Sequence, residues 1–88
     1  MKLTNEEVLL KFLSERVKRN QFNIASHEIE MDFLQYARVV WGVTLIPSTA
    51  GRLWRKIREK QLYKKIGIED VKRLKTDSKA GHWHLATS

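Results

Sequence analysis

The amino-acid sequence predicts one mainly helical α+β domain, three helices closed by a C-terminal β-hairpin. Three observations carry that expectation. Apolar residues recur at helical spacing in three separate stretches, each opening on residues that start helices. The turn formers Thr76-Asp77-Ser78-Lys79-Ala80-Gly81 precede His82-Trp83-His84-Leu85, whose strict alternation suits a half-buried strand. The 88 residues are too few to bury two separate cores, so residues 1–88 are expected to form a single domain.

Thr4-Asn5-Glu6-Glu7 has the form of a capping box, with Thr4 as N-cap and Glu7 reaching back. Val8, Leu9, Phe12, Leu13 and Val17 follow at helical spacing and predict a first helix over about residues 5–19. Asn20-Gln21-Phe22-Asn23 breaks that period. Phe22 and Ile24 flank a polar residue there, which suits a short strand or an extended loop. Ser26 is a candidate N-cap for a second helix reaching about Val40. Its apolar stripe is Ile29, Phe33, Tyr36, Ala37 and Val40, and Gly42 stands where a left-handed C-terminal cap belongs. Trp41 continues that stripe and is expected in the core.

Val43 to Ile46 form a short apolar connection. Pro47-Ser48-Thr49 then opens a third helix, since proline suits a first turn whose N–H groups lack helical partners. Ala50, Leu53, Trp54 and Ile57 make its apolar face, with Trp54 in the core. Arg52, Arg55, Lys56 and Glu59 share another face at i, i+3, i+4 and i+7 spacing. This helix should end near Lys60 or Gln61. Residues 71–75 and 82–86 are expected to pair as the hairpin. Ile68, Val71 and Leu74 also fit helical spacing, so a helical turn over Glu69–Arg73 competes. Trp83 is expected to close the core under the third helix, the alternative being an exposed ring that stacks on a base.

The charge is unevenly placed. Residues 1–44 carry six basic and six acidic side chains, whereas residues 45–88 carry eleven basic and four acidic, so the second half holds the whole net charge of +7. Nucleic acid, an anionic membrane surface or an acidic protein are the partners such a balance admits. A membrane-surface role fits poorly, because the apolar face of the basic helix is needed for the core. No apolar run approaches the roughly 20 residues of a membrane span. Acids at Glu6 and Glu7 stand where a signal peptide would be apolar. There is no cysteine, which removes disulfides and thiolate chemistry and fits a reducing, intracellular setting.

Catalytic and metal constellations are weak. No nucleophile–base–acid set can be assembled and no glycine-rich phosphate loop is present, so no enzymatic role and no cofactor is expected. His82 and His84 share a strand face but make at most half a zinc site, and no metal is expected.

Helix, short strand, helix, turn, basic helix and hairpin resembles the winged-helix version of the helix-turn-helix family over about residues 4–86. The most telling stretch is Gly42-Val43-Thr44-Leu45-Ile46-Pro47-Ser48-Thr49-Ala50-Gly51-Arg52-Leu53. It departs from the family in a connection slightly longer than the usual tight turn. The resemblance implies a third helix in the major groove and a wing on the backbone or an adjacent groove. Ser48, Thr49, Arg52, Arg55, Lys56 and Glu59 would then face DNA. The arginines suit the guanine edge, and free N–H groups at Ser48 and Thr49 suit a phosphate. Lys72, Arg73, Lys75 and Lys79 would be phosphate contacts from the wing. The expected role is duplex DNA binding in transcription regulation or in replication and repair. Two alternatives are a protein-interaction module in a larger assembly and a single-stranded DNA or RNA binder using Trp83, Tyr63 and the hairpin. A homodimer is also open, since Leu10 adds an apolar residue beside the core stripe of the first helix.

Overall fold

The computed structural model describes residues 3–75 and 81–87. In chain order its elements are α1 (Asn5–Lys18), β1 (Asn23–Ala25), α2 (Ser26–Glu30), α3 (Asp32–Trp41), α4 (Pro47–Glu59), a 3-10 helix (Leu62–Ile66), β2 (Ile68–Leu74) and β3 (His82–Thr87). The arrangement is α+β, mainly helical with a three-stranded antiparallel sheet in the order β1-β3-β2. Among the described residues no helix is long and apolar enough to cross a membrane.

The capping box starts α1 as expected. The Glu7 N–H donates to Thr4 Oγ1 at 3.2 Å and the Thr4 N–H donates to Glu7 Oε1 at 3.0 Å, which satisfies two donors left over at a helix start. Val8, Leu9, Phe12 and Leu13 are buried, and so is Leu10, 7% exposed. Leu10 is therefore a core residue of the monomer and leaves no spare apolar surface on α1 for a dimer. Phe12 packs on Phe33 and Tyr36 with ring centroids 5.6 and 5.4 Å apart, fixing α3 against α1.

The expected second helix is two helices. Ala25, not Ser26, is the N-cap of α2. The Ser26 N–H and Oγ both donate to the Gly81 carbonyl, at 2.8 and 3.3 Å. Glu28 accepts the Ala25 N–H at 3.2 Å in place of a side-chain cap. Met31, at φ −121° and ψ −64°, ends α2 and starts α3. The break serves packing, since α2 lies chiefly on α4 whereas α3 reaches α1. Nothing local marks it, because Met31 is neither glycine nor proline. Gly42 is the left-handed cap at φ 66°, and the Val43 N–H closes the end on the Ala37 carbonyl at 3.0 Å. Trp41 is not in the core. It is 39% exposed and donates its indole N–H to Tyr36 Oη at 3.2 Å, and Val40 is 56% exposed. Both lie in the last turn of α3 and line an open groove between α1, β1 and α3 instead of the core.

The hairpin is longer than expected. β2 begins at Ile68, so the helical alternative over Glu69–Arg73 is replaced by strand. The preceding 3-10 helix was not anticipated; Gln61 and Gly67 bracket it in left-handed conformations at φ 54° and 86°. β3 is the central strand. Ile24 of β1 and Arg73 of β2 both pair with Trp83. Trp83 is 6% exposed and meets Trp54, 2% exposed, edge-on, so both indoles lie in the core as expected.

Two stability predictions follow from these contacts. Gly81 is buried, and a Cβ placed there collides with the Trp83 ring. Gly81→Ala should destabilise the fold by about 1–3 kcal/mol, and calorimetry should read roughly 4–8 °C of lost Tm per kcal/mol; an unchanged Tm would show that the ring yields freely. The Glu7 carboxyl is held below its usual range by hydrogen bonds from the Thr4 N–H and then the Thr4 hydroxyl, with help from the charges of Lys65 and Lys11. A depressed folded-state pKa means that this stabilisation is present above the ordinary glutamate pKa and is lost as pH falls through the lower, folded value. Thermal melts between about pH 6 and 3 should therefore show the wild type losing Tm more steeply than Glu7→Gln; parallel curves would remove this role for Glu7.

Candidate nucleic-acid interface

The residue pattern of α4 sets what each side of the helix can do. At 100° per residue, Ala50, Trp54 and Ile57 fall on the inward side, and all three are buried. Ser48, Arg52, Arg55 and Glu59 fall on the outward side, and all four are exposed. Arg58 lies on the flank toward the hairpin and Lys56 on the flank toward α1.

Ser48 and Thr49 do not cap α4. Ile46 is the N-cap, no side chain bonds the first turn, and Pro47 is the first helical residue. Ser48 and Thr49 are thus the second and third residues, whose N–H groups have no partner within the helix. The partial positive charge of the helix start is therefore open to an anion on this side.

The basic side chains differ in how far they are already engaged. Arg55 Nε pairs with Glu59 Oε1 at 2.8 Å, and both side chains are well exposed. That contact raises the Arg55 pKa, first through the hydrogen bond and then through the Glu59 charge. The pair is screened by solvent and easily exchanged for another anion. Lys56 Nζ pairs with Glu6 Oε1 and ties α4 to the first turn of α1, so its charge is partly answered within the fold. Arg52 makes no ion pair or hydrogen bond among the described residues.

The structure adds a residue that the sequence reading left outside the site. The Arg58 guanidinium carbon lies 4.6 Å from the Trp83 ring centroid and 5.5 Å from that of Trp54. The two indoles stand edge-on, 5.4 Å apart at 81°. The Arg73 guanidinium lies 6.0 Å from the same Trp83 ring. Burial pushes the Arg58 pKa down, and the Arg73 charge pushes it the same way; a guanidinium still remains protonated at neutral pH. Arg58 Nε and the Trp54 indole N–H are buried without hydrogen-bond partners. No carboxylate pairs with Arg58 or Arg73 among the described residues. Two cations thus converge on one indole, with the Glu59 charge acting on Arg58 only from a distance, a place where an incoming anion would gain. Sequence spacing alone did not reveal it, because Arg58 is adjacent to the outward stripe and joins Arg73 only through the fold.

The wing residues separate. Arg73 pairs with Trp83 and shares its face of the sheet, the face that α4 covers. Lys72 pairs with His84 and points to the other face, with Asn23, whose Oδ1 lies 2.7 Å from His84 Nδ1. Lys75 is exposed just beyond β2. Lys79 lies outside the described residues. Of the wing cations described, the fold brings Arg73 to the α4 interface, not Lys72.

Among the described residues, no group of three histidine, cysteine, aspartate or glutamate side chains is placed to hold a metal. A groove lies elsewhere, between α1, β1 and α3, where Arg16 and Glu28 already neutralise each other at 2.6 Å. No family model, no curated protein and no solved structure matches the chain at a level that carries an argument.

Proposed function

We propose that the chain is a winged-helix module that binds duplex DNA, with α4 in the major groove and the β2–β3 hairpin against the flanking backbone. The observation that carries this reading is a row of cations on one side of the fold, broken among the described residues only by Glu59. It runs from Arg52 and Arg55 on the outward side of α4 to Arg58 on its flank and Arg73 of the hairpin, the last two meeting at the Trp83 ring. Arg52 and Arg55 take the base-reading role, because a guanidinium donates two parallel hydrogen bonds to the O6 and N7 of guanine. The open first turn at Ser48 and Thr49 takes a phosphate. Arg58 and Arg73 take a second phosphate, which supplies the direct ion pair that neither makes among the described residues. Lys72, Lys75 and Lys79 add less directed attraction to the backbone, and Lys56 serves mainly to hold α4 on α1. Duplex DNA is favoured over RNA, since the deep groove of an RNA helix excludes an α-helix. Transcription regulation, or replication and repair, within the cell is the setting this implies.

Fluorescence anisotropy with random-sequence duplex DNA, single-stranded DNA and RNA at two salt concentrations tests the reading. The duplex should bind best, with affinity falling along a log–log salt slope of about −5 to −7 if six to eight phosphates are engaged. Absence of binding by every probe below roughly 100 μM at low salt, where even non-specific complexes of such proteins are seen, would overturn it in favour of a protein-interaction module. Preference for a single strand or RNA would relocate the interface to the hairpin. Arg52→Ala with Arg55→Ala should weaken duplex binding by more than about tenfold. Arg73→Ala should reduce the salt slope by about 1. An affinity that survived the double change would show that α4 is not the reading helix.

A further inference from the structure

Gly51 lies inside α4 at a position where neither the helix nor the core calls for a glycine. Glycine in a helix interior is less favourable than alanine, because its backbone loses more freedom on folding and no side chain makes contacts in return. Two demands within a fold ordinarily justify it. One is a left-handed backbone, which Gly42 and Gly67 adopt and Gly51 does not. The other is a neighbour packed against the bare Cα, as the Trp83 ring is packed against Gly81. Nothing among the described residues lies within 4 Å of a Cβ built at Gly51. Room for a side chain is present there and unused.

The helix sets the direction of this gap. Successive residues turn by 100°, so Gly51 stands a little over a quarter turn from Arg52, on the flank of α4 that faces the hairpin. Arg58 follows seven residues later on the same flank, with its guanidinium over the Trp83 ring. Leu53, a similar step from Arg52 in the other sense, packs against the core. An α-helix with its side chains is about 10–12 Å across, and the major groove is about 12 Å wide. A helix whose outward side points at the groove floor therefore has a flank against each wall, and the walls are the sugar–phosphate backbones. The Cα atoms lie close to the helix axis, so a position without a side chain admits a wall roughly 3 Å nearer than a full one.

Given the duplex reading of α4, on which this rests, we infer that Gly51 is a positioning residue for DNA: the sugar–phosphate backbone of one strand passes against its bare flank, between α4 and the hairpin. The close approach sets how deeply α4 enters the groove, and so whether Arg52 and Arg55 reach the base edges. It also brings the strand toward the charges of Arg58 and Arg73, which attract a polyanion. Glycine adds no charge and no side-chain donor at this point. What it supplies is distance.

Thermal melts and duplex binding, measured on the same variants of the whole chain, test this. Gly51→Ala should raise Tm by about 2–8 °C, since the helix gains a better residue at no steric cost. The same change should weaken binding of a random-sequence duplex at fixed salt by at least about threefold. Gly51→Leu should weaken it by at least about tenfold, comparable with removing the arginines that the approach places, with Tm no lower than that of the wild type. The opposite signs are the signature. A glycine kept for packing loses Tm when replaced, and a glycine without a role gains Tm with no loss of binding. A Tm that falls with Gly51→Ala would therefore overturn the inference. So would Gly51 variants that bind the duplex as the wild type does while Arg52→Ala with Arg55→Ala still weakens binding, an outcome that leaves the duplex reading standing. A wild type that binds no duplex removes both. Should Gly51→Leu fail to fold, Gly51→Ala decides alone.

Discussion

The edge-on contact of Trp83 with Trp54 holds α4 and the β2–β3 hairpin of this small domain together. Trp83 sits at the middle of the central strand, paired on one side with Ile24 and on the other with Arg73. Its ring lies under α4, 5.4 Å from the Trp54 ring. Two residues earlier, the Gly81 carbonyl receives both Ser26 donors and so anchors the start of α2. A glycine is required at that point because the Trp83 ring occupies the space of a Cβ. The hairpin is therefore not a free two-stranded ribbon, which in water would be marginal by itself. It is a wall of the core, and the distance between α4 and the cations of β2 is set by the packing of two large rigid rings.

A second constraint explains why the charge of the molecule is lopsided in space as well as in sequence. Several acids of the first half are engaged within the fold. Glu7 closes the α1 cap, Glu6 holds Lys56, and Glu28 both accepts the Ala25 N–H and pairs with Arg16 at 2.6 Å. Arg16 also donates to the Asn23 carbonyl at 2.7 Å and lies over Phe12, so one half-buried guanidinium links α1, β1 and α2. Such a pair contributes less to net stability than its geometry suggests, because both charges lose water. Its value is in fixing where β1 enters the sheet. Anions spent on caps and internal pairs leave the cations of α4 and β2 with few opponents, so the field at their surface stays positive.

How much of this could be read from the sequence depends on whether the cause is local. The α1 capping box, the Gly42 cap, the proline start of α4 and the strand at His82–Leu85 are each decided by residues within one turn or one pleat of each other, and all were legible. The division at Met31 was not, because its cause is that α2 and α3 have different neighbours. Trp41 reads as core by period but lines the open groove between α1, β1 and α3. The stripe of basic residues on α4 was visible in the spacing, yet the spacing could not distinguish Lys56, engaged by Glu6, from Arg52, which has no ion pair or hydrogen bond among the described residues. Arg58 and Arg73 lie fifteen positions apart, and only the Trp54–Trp83 packing makes them neighbours. Lys72 and Arg73 look equivalent in the sequence; the strand register sends them to opposite faces.

The proposed interface has a built-in limit. Two outward arginines on one helix read at most a few base pairs, since each guanidinium is matched to a single guanine. The remaining cations contact phosphates, which add affinity and salt dependence but carry no sequence information. A single copy would therefore bind many duplex sequences with similar strength.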